Sequence, residues 1–186
     1  MSKLVAFTGP IGCGKTTAAE ALIEEGWVRI KFADPLKNML RAFYAACGIE
    51  DPSYIEARIE GGLKEEPDPF LQGRTPRHAM QTLGTEWGRN LIADDLWTRA
   101  WEQRVLAMAS RELDVVVDDC RFENEAAAVR RLGGMVVRID GRSAGAESKH
   151  ASEKFAFEAD LNVPNTGDRD AFIAYIIHVF DRQTAD

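Results

Sequence analysis

Short apolar runs alternate along the chain with stretches of helical periodicity. Five runs read as buried strands: Lys3 to Thr8, Val28 to Phe32, Asp114 to Asp118, Met135 to Ile139 and, with the faintest pattern, Leu161 to Pro164. Between them apolar residues recur every three or four positions, as on one face of a helix. The first helix is expected from about Lys15 to Glu25, stopping at Gly26. In the second, Leu36, Met39, Leu40, Phe43, Tyr44 and Cys47 form an apolar stripe, leaving Lys37 and Arg41 one turn apart on another edge. Asp51-Pro52 reads as the N-cap and first position of a short helix ending at Gly61-Gly62. Thr75-Pro76 opens another, with Met80, Leu83, Trp87 and Leu91 on one stripe and Gly84 and Gly88 spaced to admit a second backbone. A further helix, Asp95 to about Ser110, carries Trp97, Trp101, Val105 and Met108, and the last packs through Tyr175, Ile176, Val179 and Phe180. The tryptophans at helical spacing read as core rather than as base-stacking groups. The stretch "GGLKEEPDPFLQG" is the most loop-like and is expected to be mobile.

Strands separated by helices predict a parallel α/β sheet, and the long helical segment at 34 to 110 is expected over its carboxyl edge, where such folds bind ligands. With 186 residues, 45% hydrophobic and 28% charged, one globular domain accounts for the chain. A net charge of -7 argues against a nucleic-acid or anionic-membrane surface, both of which reward a basic face. No apolar run reaches the roughly 18 residues of a membrane span, and the N-terminus enters a strand without a signal-peptide pattern, so a cytoplasmic protein is expected. Cys13, Cys47 and Cys120 are too far apart for a CxxC metal or redox motif. Cys13 is either a reactive thiol at a helix N-terminus or an inert apolar filler; Cys47 is expected to be packed, and Cys120 accessible.

Chemistry enters at "GPIGCGKT", residues 9 to 16, which satisfies GxxxxGK[ST] between a strand and a helix. Glycines there let backbone N–H groups converge on phosphate oxygens at the helix N-terminus. Lys15 would reach the β and γ phosphates of a bound triphosphate, and the Thr16 hydroxyl would ligate Mg2+. The strand "DVVVDDC" ends in two aspartates, followed by Arg121. A carboxylate at that strand end can serve the metal, and the arginine can neutralise a phosphate. Lys37, Arg41, Arg74, Arg77 and Arg89 concentrate positive charge in the helical segment, with Arg74 and Arg77 bracketing a helix start. A second anionic substrate would be held this way by Arg74 and Arg77, whereas Arg41 and Arg89 suit solvated faces somewhat better.

The segments "FADPLK" (32–37), "TPRHAMQTLGTEWGR" (75–89), "DCRFENEA" (119–126), "HASE" (150–153) and "LNVPNTGD" (161–168) together resemble the phage-type deoxynucleoside monophosphate kinases, over nearly the whole length. The resemblance implies a P-loop kinase fold with a five-stranded, mostly parallel sheet. Its core would be about 1–34 and 111–186, a helical monophosphate-binding insertion about 35–110 and a lid about 141–160. It implies transfer of the γ-phosphate of ATP to a deoxynucleoside monophosphate, with Mg2+, in the host cytoplasm if the protein is phage-encoded.

By the same resemblance Gly12, Cys13, Gly14, Lys15, Thr16 and Thr17 form the ATP loop, and Asp119 matches the metal-side aspartate, Asp118 remaining the alternative. Arg121 would sit between the phosphates, and Lys37, Arg74 and Arg77 on the monophosphate side. Asp34 and Asn124 are either sugar or base contacts or helix caps. Thr16-Thr17 follows the loop lysine where the phage pattern often has an acidic residue. Arg142 is a candidate late phosphate contact in the lid, alongside Lys149 and His150, whose roles are open; His78 and His178 receive none. Lid and insertion would close to exclude water. A dephospho-coenzyme A kinase and a nucleotide-gated binding module are the rival readings. The accepted base, the sugar preference and homodimer formation stay open.

Overall fold

The structure, a computed structural model, describes residues 2–141 and 157–181. Arg142, Lys149, His150 and the "HASE" segment lie outside the described residues. Among the described residues, no helix is long and apolar enough to cross a membrane.

Five parallel strands form one sheet in the order β2-β3-β1-β4-β5: β1 (Leu4–Thr8), β2 (Val28–Arg29), β3 (Val115–Val117), β4 (Met135–Gly141) and β5 (Leu161–Asn165). Central β1 is a continuous apolar run because both its faces are covered. Val5 and Phe7 share a core cluster with Leu22 of α1 (Lys15–Glu24) and Phe172, Ile176 and Phe180 of α7 (Arg169–Asp181), while Leu4 and Ala6, on the alternate face, are also buried. Phe180 meets the rings of Phe7 and Trp27 edge-on, at 6.0 and 6.4 Å. Tyr175, expected in that packed face, is exposed, and Phe172 takes its place.

All five expected strands are present, and β2 and β3 are shorter than their apolar runs. The ladder ends early because side chains take over its hydrogen bonds. The Phe32 N–H donates to Asp119 Oδ1 at 2.9 Å, and the Lys3 N–H donates to Asp114 Oδ1 at 2.6 Å. Asp118 and Asp119 thereby leave the strand at its carboxyl end.

Two compact units divide the chain: residues 1–32 with 102–186, and residues 33–101. The second ends inside α5 (Leu96–Ala109), whereas the insertion expected from sequence runs to 110. It is built from α2 (Asp34–Ala46), α3 (Pro52–Ile59) and α4 (Pro76–Gln81), around Leu40, Tyr44, Ile55 and Ile59. Asp51 and Thr75 cap α3 and α4 as their sequence suggests, accepting from the N–H groups of Ser53 and His78. Only Leu40 and Tyr44 of the α2 stripe are buried; Met39, Phe43 and Cys47 are exposed, so the helix presents a narrower edge than its periodicity implies.

The acidic loop is more ordered than its composition suggests. It carries two 3-10 turns, Gly62–Glu65 and Pro69–Leu71, and its Asp68 is buried. Asp68 accepts from Arg58 Nε at 2.7 Å, the Tyr44 hydroxyl at 3.1 Å and the Phe70 N–H at 2.8 Å. A buried carboxylate is tolerable only with such a complete set of partners.

Beyond α4 the chain winds as a π-helix from Thr82 to Ile92. Its i to i+5 bonding takes more residues per turn than an α-helix, so the expected stripe goes out of phase. Leu91 is 75% exposed and Trp87 half-exposed, while Trp97 and Trp101 are buried. Gly88 admits a ring rather than a backbone: a Cβ there would lie 2.5 Å from Trp97, whose Nε1 donates to the Gly84 carbonyl at 2.7 Å.

Candidate active site

The first unit carries a loop from Gly9 to Gly14 between buried β1 and α1. Gly14 occupies the N-cap position of α1 with φ +109, and no side chain caps the helix. Free N–H groups and the positive end of the helix dipole therefore meet at the loop. Gly12 and Thr16 are exposed there, and Thr17 is half-buried. The Lys15 ammonium donates to the carbonyls of Gly9 at 2.8 Å and Pro10 at 2.6 Å and lies 3.7 Å from Cys13 Sγ. Burial depresses its pKa from the ordinary 10.5, and the Arg121 charge adds to the depression, while Cys13 and Asp118 oppose it. The charges of Arg121 and of one carboxylate are thus both felt at Lys15.

That carboxylate is Asp118. It is buried, with Arg29 Nη1 3.6 Å from Oδ2 and Lys31 Nζ 3.7 Å from Oδ1, both too long for hydrogen bonds. Among the described residues its Oδ1 has no hydrogen-bond partner, nor has the buried Thr8 hydroxyl at the end of neighbouring β1. Asp119 is occupied differently, accepting from the Phe32 N–H. Arg29 and Lys31 were not singled out from the sequence; their alternation in the run Val28 to Phe32, read there as a strand, was the available signal, since positions two apart point to one side of an extended chain.

Arg121 is exposed, and its backbone is fixed by Glu125, whose Oε2 accepts from the N–H groups of Arg121 at 2.8 Å and Phe122 at 3.1 Å. Glu125, in the first turn of α6 (Glu123–Arg131), is therefore the capping carboxylate. Asn124 lies half-buried in the same turn and is not the N-cap, which is Phe122. Glu125 makes half of a capping box, accepting from the N-cap N–H, while Phe122 has no side-chain acceptor to complete it, so the sequence carries no capping-box signal here. Asn165, also unassigned from sequence, ends β5 and donates from Nδ2 to the Cys13 carbonyl at 2.8 Å.

In the second unit the basic residues are matched to carboxylates. Lys37 Nζ is 2.6 Å from Glu60 Oε1, Arg41 makes a two-pronged contact with Glu56 at 2.6 and 2.9 Å, and Arg77 pairs with Glu65. The exposed Arg74 side chain has no ion pair among the described residues. Asp34 lies in the first turn of α2, whose N-cap position is Ala33, so its charge complements the helix dipole without capping. Among the described residues no three His, Cys, Asp or Glu side chains gather as a metal cluster. The donors present, the Thr16 hydroxyl and the Asp118 oxygen that accepts no hydrogen bond among the described residues, fit a cation that arrives with phosphate ligands of its own.

Solved structures of the same architecture include TT1252 from Thermus thermophilus (16% identity, 99% of each chain covered, TM-score 0.54). They also include the dephospho-CoA kinase from Campylobacter jejuni (16% identity, 99% of this chain and 98% of that one, TM-score 0.51). Across so low an identity the likeness carries the fold alone, and the fold is that of the P-loop kinases. Sequence similarity narrows the class. The family model described as deoxynucleotide monophosphate kinase matches residues 72–176. A protein of Acanthamoeba polyphaga mimivirus that bears the same name provisionally is 33% identical over 161 residues, spanning 81% of this chain and 80% of that protein. This chain belongs to the deoxynucleotide monophosphate kinase family, and it is a nucleotide kinase by that membership.

Proposed function

We propose that this chain transfers the γ-phosphoryl group of ATP to a deoxynucleoside 5'-monophosphate, giving the diphosphate and ADP. The observation that carries the reading is the loop from Gly9 to Gly14 at an uncapped helix N-terminus, with the Lys15 ammonium folded back onto the loop carbonyls of Gly9 and Pro10. Uncapped N–H groups, the positive end of the helix dipole and a lysine at the same loop favour a polyanion there. The loop N–H groups would bind the β and γ phosphates, and Lys15 would exchange its carbonyl partners for phosphate oxygens. Arg121, its backbone held by Glu125, would neutralise charge on the transferring group.

Mg2+ would be held by Thr16 and Asp118 and would supply charge neutralisation across the phosphates. Asp118 suits this better than Asp119, whose carboxylate already holds the Phe32 N–H. On the acceptor side, Arg74 is available as it stands, and Lys37 and Arg77 would be drawn from Glu60 and Glu65 by a dianionic phosphate. Transfer would need no covalent intermediate, only positioning and charge.

The test is one panel: ATP with dAMP, dCMP, dGMP, dTMP, their ribose forms and dephospho-coenzyme A, every product identified by mass spectrometry. At least one deoxynucleoside diphosphate is expected. Turnover of ATP with no phosphorylated nucleotide, or phosphorylation of dephospho-coenzyme A alone, would overturn the reading.

A further inference from the structure

Cys13 and Gly14 share the peptide that leads into α1, and no peptide among the described residues is cis. In a trans peptide the C=O and N–H point to opposite sides, so whatever fixes one aims the other. The Cys13 carbonyl is fixed from β5 by the Asn165 amide nitrogen at 2.8 Å. The polarity of that contact is unambiguous, because a carbonyl only accepts and the amide nitrogen only donates. The Gly14 N–H on the other side has no acceptor among the described residues, and no side chain caps the helix that it begins.

The approach is close enough to dictate sequence. A Cβ on Gly14 would lie 2.5 Å from Asn165 Nδ2, and the +109 φ at Gly14 is one that L side chains rarely adopt. Strand β5 lies at the edge of the sheet, so its last residue reaches the loop from the side opposite β3 and its aspartates.

We infer that Asn165 is a positioning residue for the phosphate loop: by holding the Cys13 carbonyl it aims the Gly14 N–H at the phosphates of the nucleotide. Released, this peptide could rotate and present its carbonyl oxygen to an anion, turning an attractive contact into a repulsive one. Asn165 touches no phosphate itself and acts through the backbone. The inference rests on the loop being the ATP phosphate site, so its test must separate the two.

Binding of inorganic tripolyphosphate, ADP and adenosine is measured by calorimetry on the full chain, in the wild type, Asn165→Ala and the isosteric Asn165→Asp. Asn165→Ala removes the donor without adding charge, and Asn165→Asp keeps the shape should the smaller residue fail to fold. Both variants are expected to weaken tripolyphosphate and ADP by about tenfold or more, the order expected for a hydrogen bond to a charged group. The KM for ATP should rise and that for the monophosphate stay put, with unfolding still cooperative. Tripolyphosphate affinity within about twofold of wild type in a folded Asn165→Ala would overturn the inference. So would a loss seen with adenosine and absent with tripolyphosphate, which would make Asn165 a base contact. A wild type that binds neither ATP nor tripolyphosphate would sink the ATP reading itself, and the inference with it.

Discussion

Arg121 owes its place to a carboxylate four residues further on, and Cys13 owes its inertness to the loop that surrounds it. A thiol at a helix N-terminus beside a lysine is in the electrostatic setting that activates cysteines. Here Cys13 is only 1% exposed, in the core beneath the loop. Cys120, next to Arg121 in sequence, is fully buried, and burial pushes its thiol well above the ordinary range. Cys47, placed by periodicity on a packed stripe, is the exposed one. An alkylating reagent is therefore expected to modify Cys47 alone and leave activity intact; peptide mapping that finds Cys13 labelled, with ATP protecting it, would contradict this. At this scale the sequence was legible where a motif dictates residue types, as at Gly14, Lys15 and Thr16. It was mute about side-chain direction, so Cys47 and Cys120 came out the opposite of what was expected while Cys13 had been left open between two readings, and Asn165, on the edge strand of the sheet, carried no local signal.

Among the elements, caps and strand runs followed the sequence closely because their causes are local: Asp51 and Thr75 need only the next few residues. The π-helix at 82–92 did not, because its winding answers to packing of Gly88 against Trp97. The acidic loop was misjudged for a similar reason, since Asp68 finds partners on α2 and α3, far away in sequence. Burial and the nearby Asp68 charge raise the Tyr44 pKa beyond the ordinary 10.0. The unfolded chain then loses that proton first, so this contribution to stability is complete below pH 10.0 and is lost as pH rises towards the folded-state value. Urea unfolding across that range should show the decline, and Tyr44→Phe should remove it. Replacing Asp68 by Ala leaves Arg58 as an uncompensated buried charge and should cost about 3 to 5 kcal/mol. A loss under about 1 kcal/mol, the scale of an exposed pair, would mean that the contact is not buried in solution.

Taken whole, the molecule is acidic, with a net charge of -7, yet it gathers Lys15, Arg29, Lys31 and Arg121 around the carboxyl ends of its strands. If the proposed site assignments hold, variants in the two units should differ in kinetics. Arg121→Ala, in the first unit, should lower kcat by about a thousandfold, the scale of an arginine finger. Lys37→Ala or Arg74→Ala, in the second, should raise the KM for the monophosphate far more than that for ATP. Equal changes in both KM values would contradict the assignment. The strand order carries a consequence for how the chain is made. β1 is synthesised well before its neighbours in the sheet, β3 and β4, so Leu4 waits for Val115 and Val5 for Met135. The intervening second unit is synthesised meanwhile, and the sticky run "LVAFT" has no edge to join until β3 follows. Closing so long a loop makes assembly of the sheet slow. During that delay the apolar strand is a natural target for chaperones, and a nascent chain released before about residue 140 should aggregate through it.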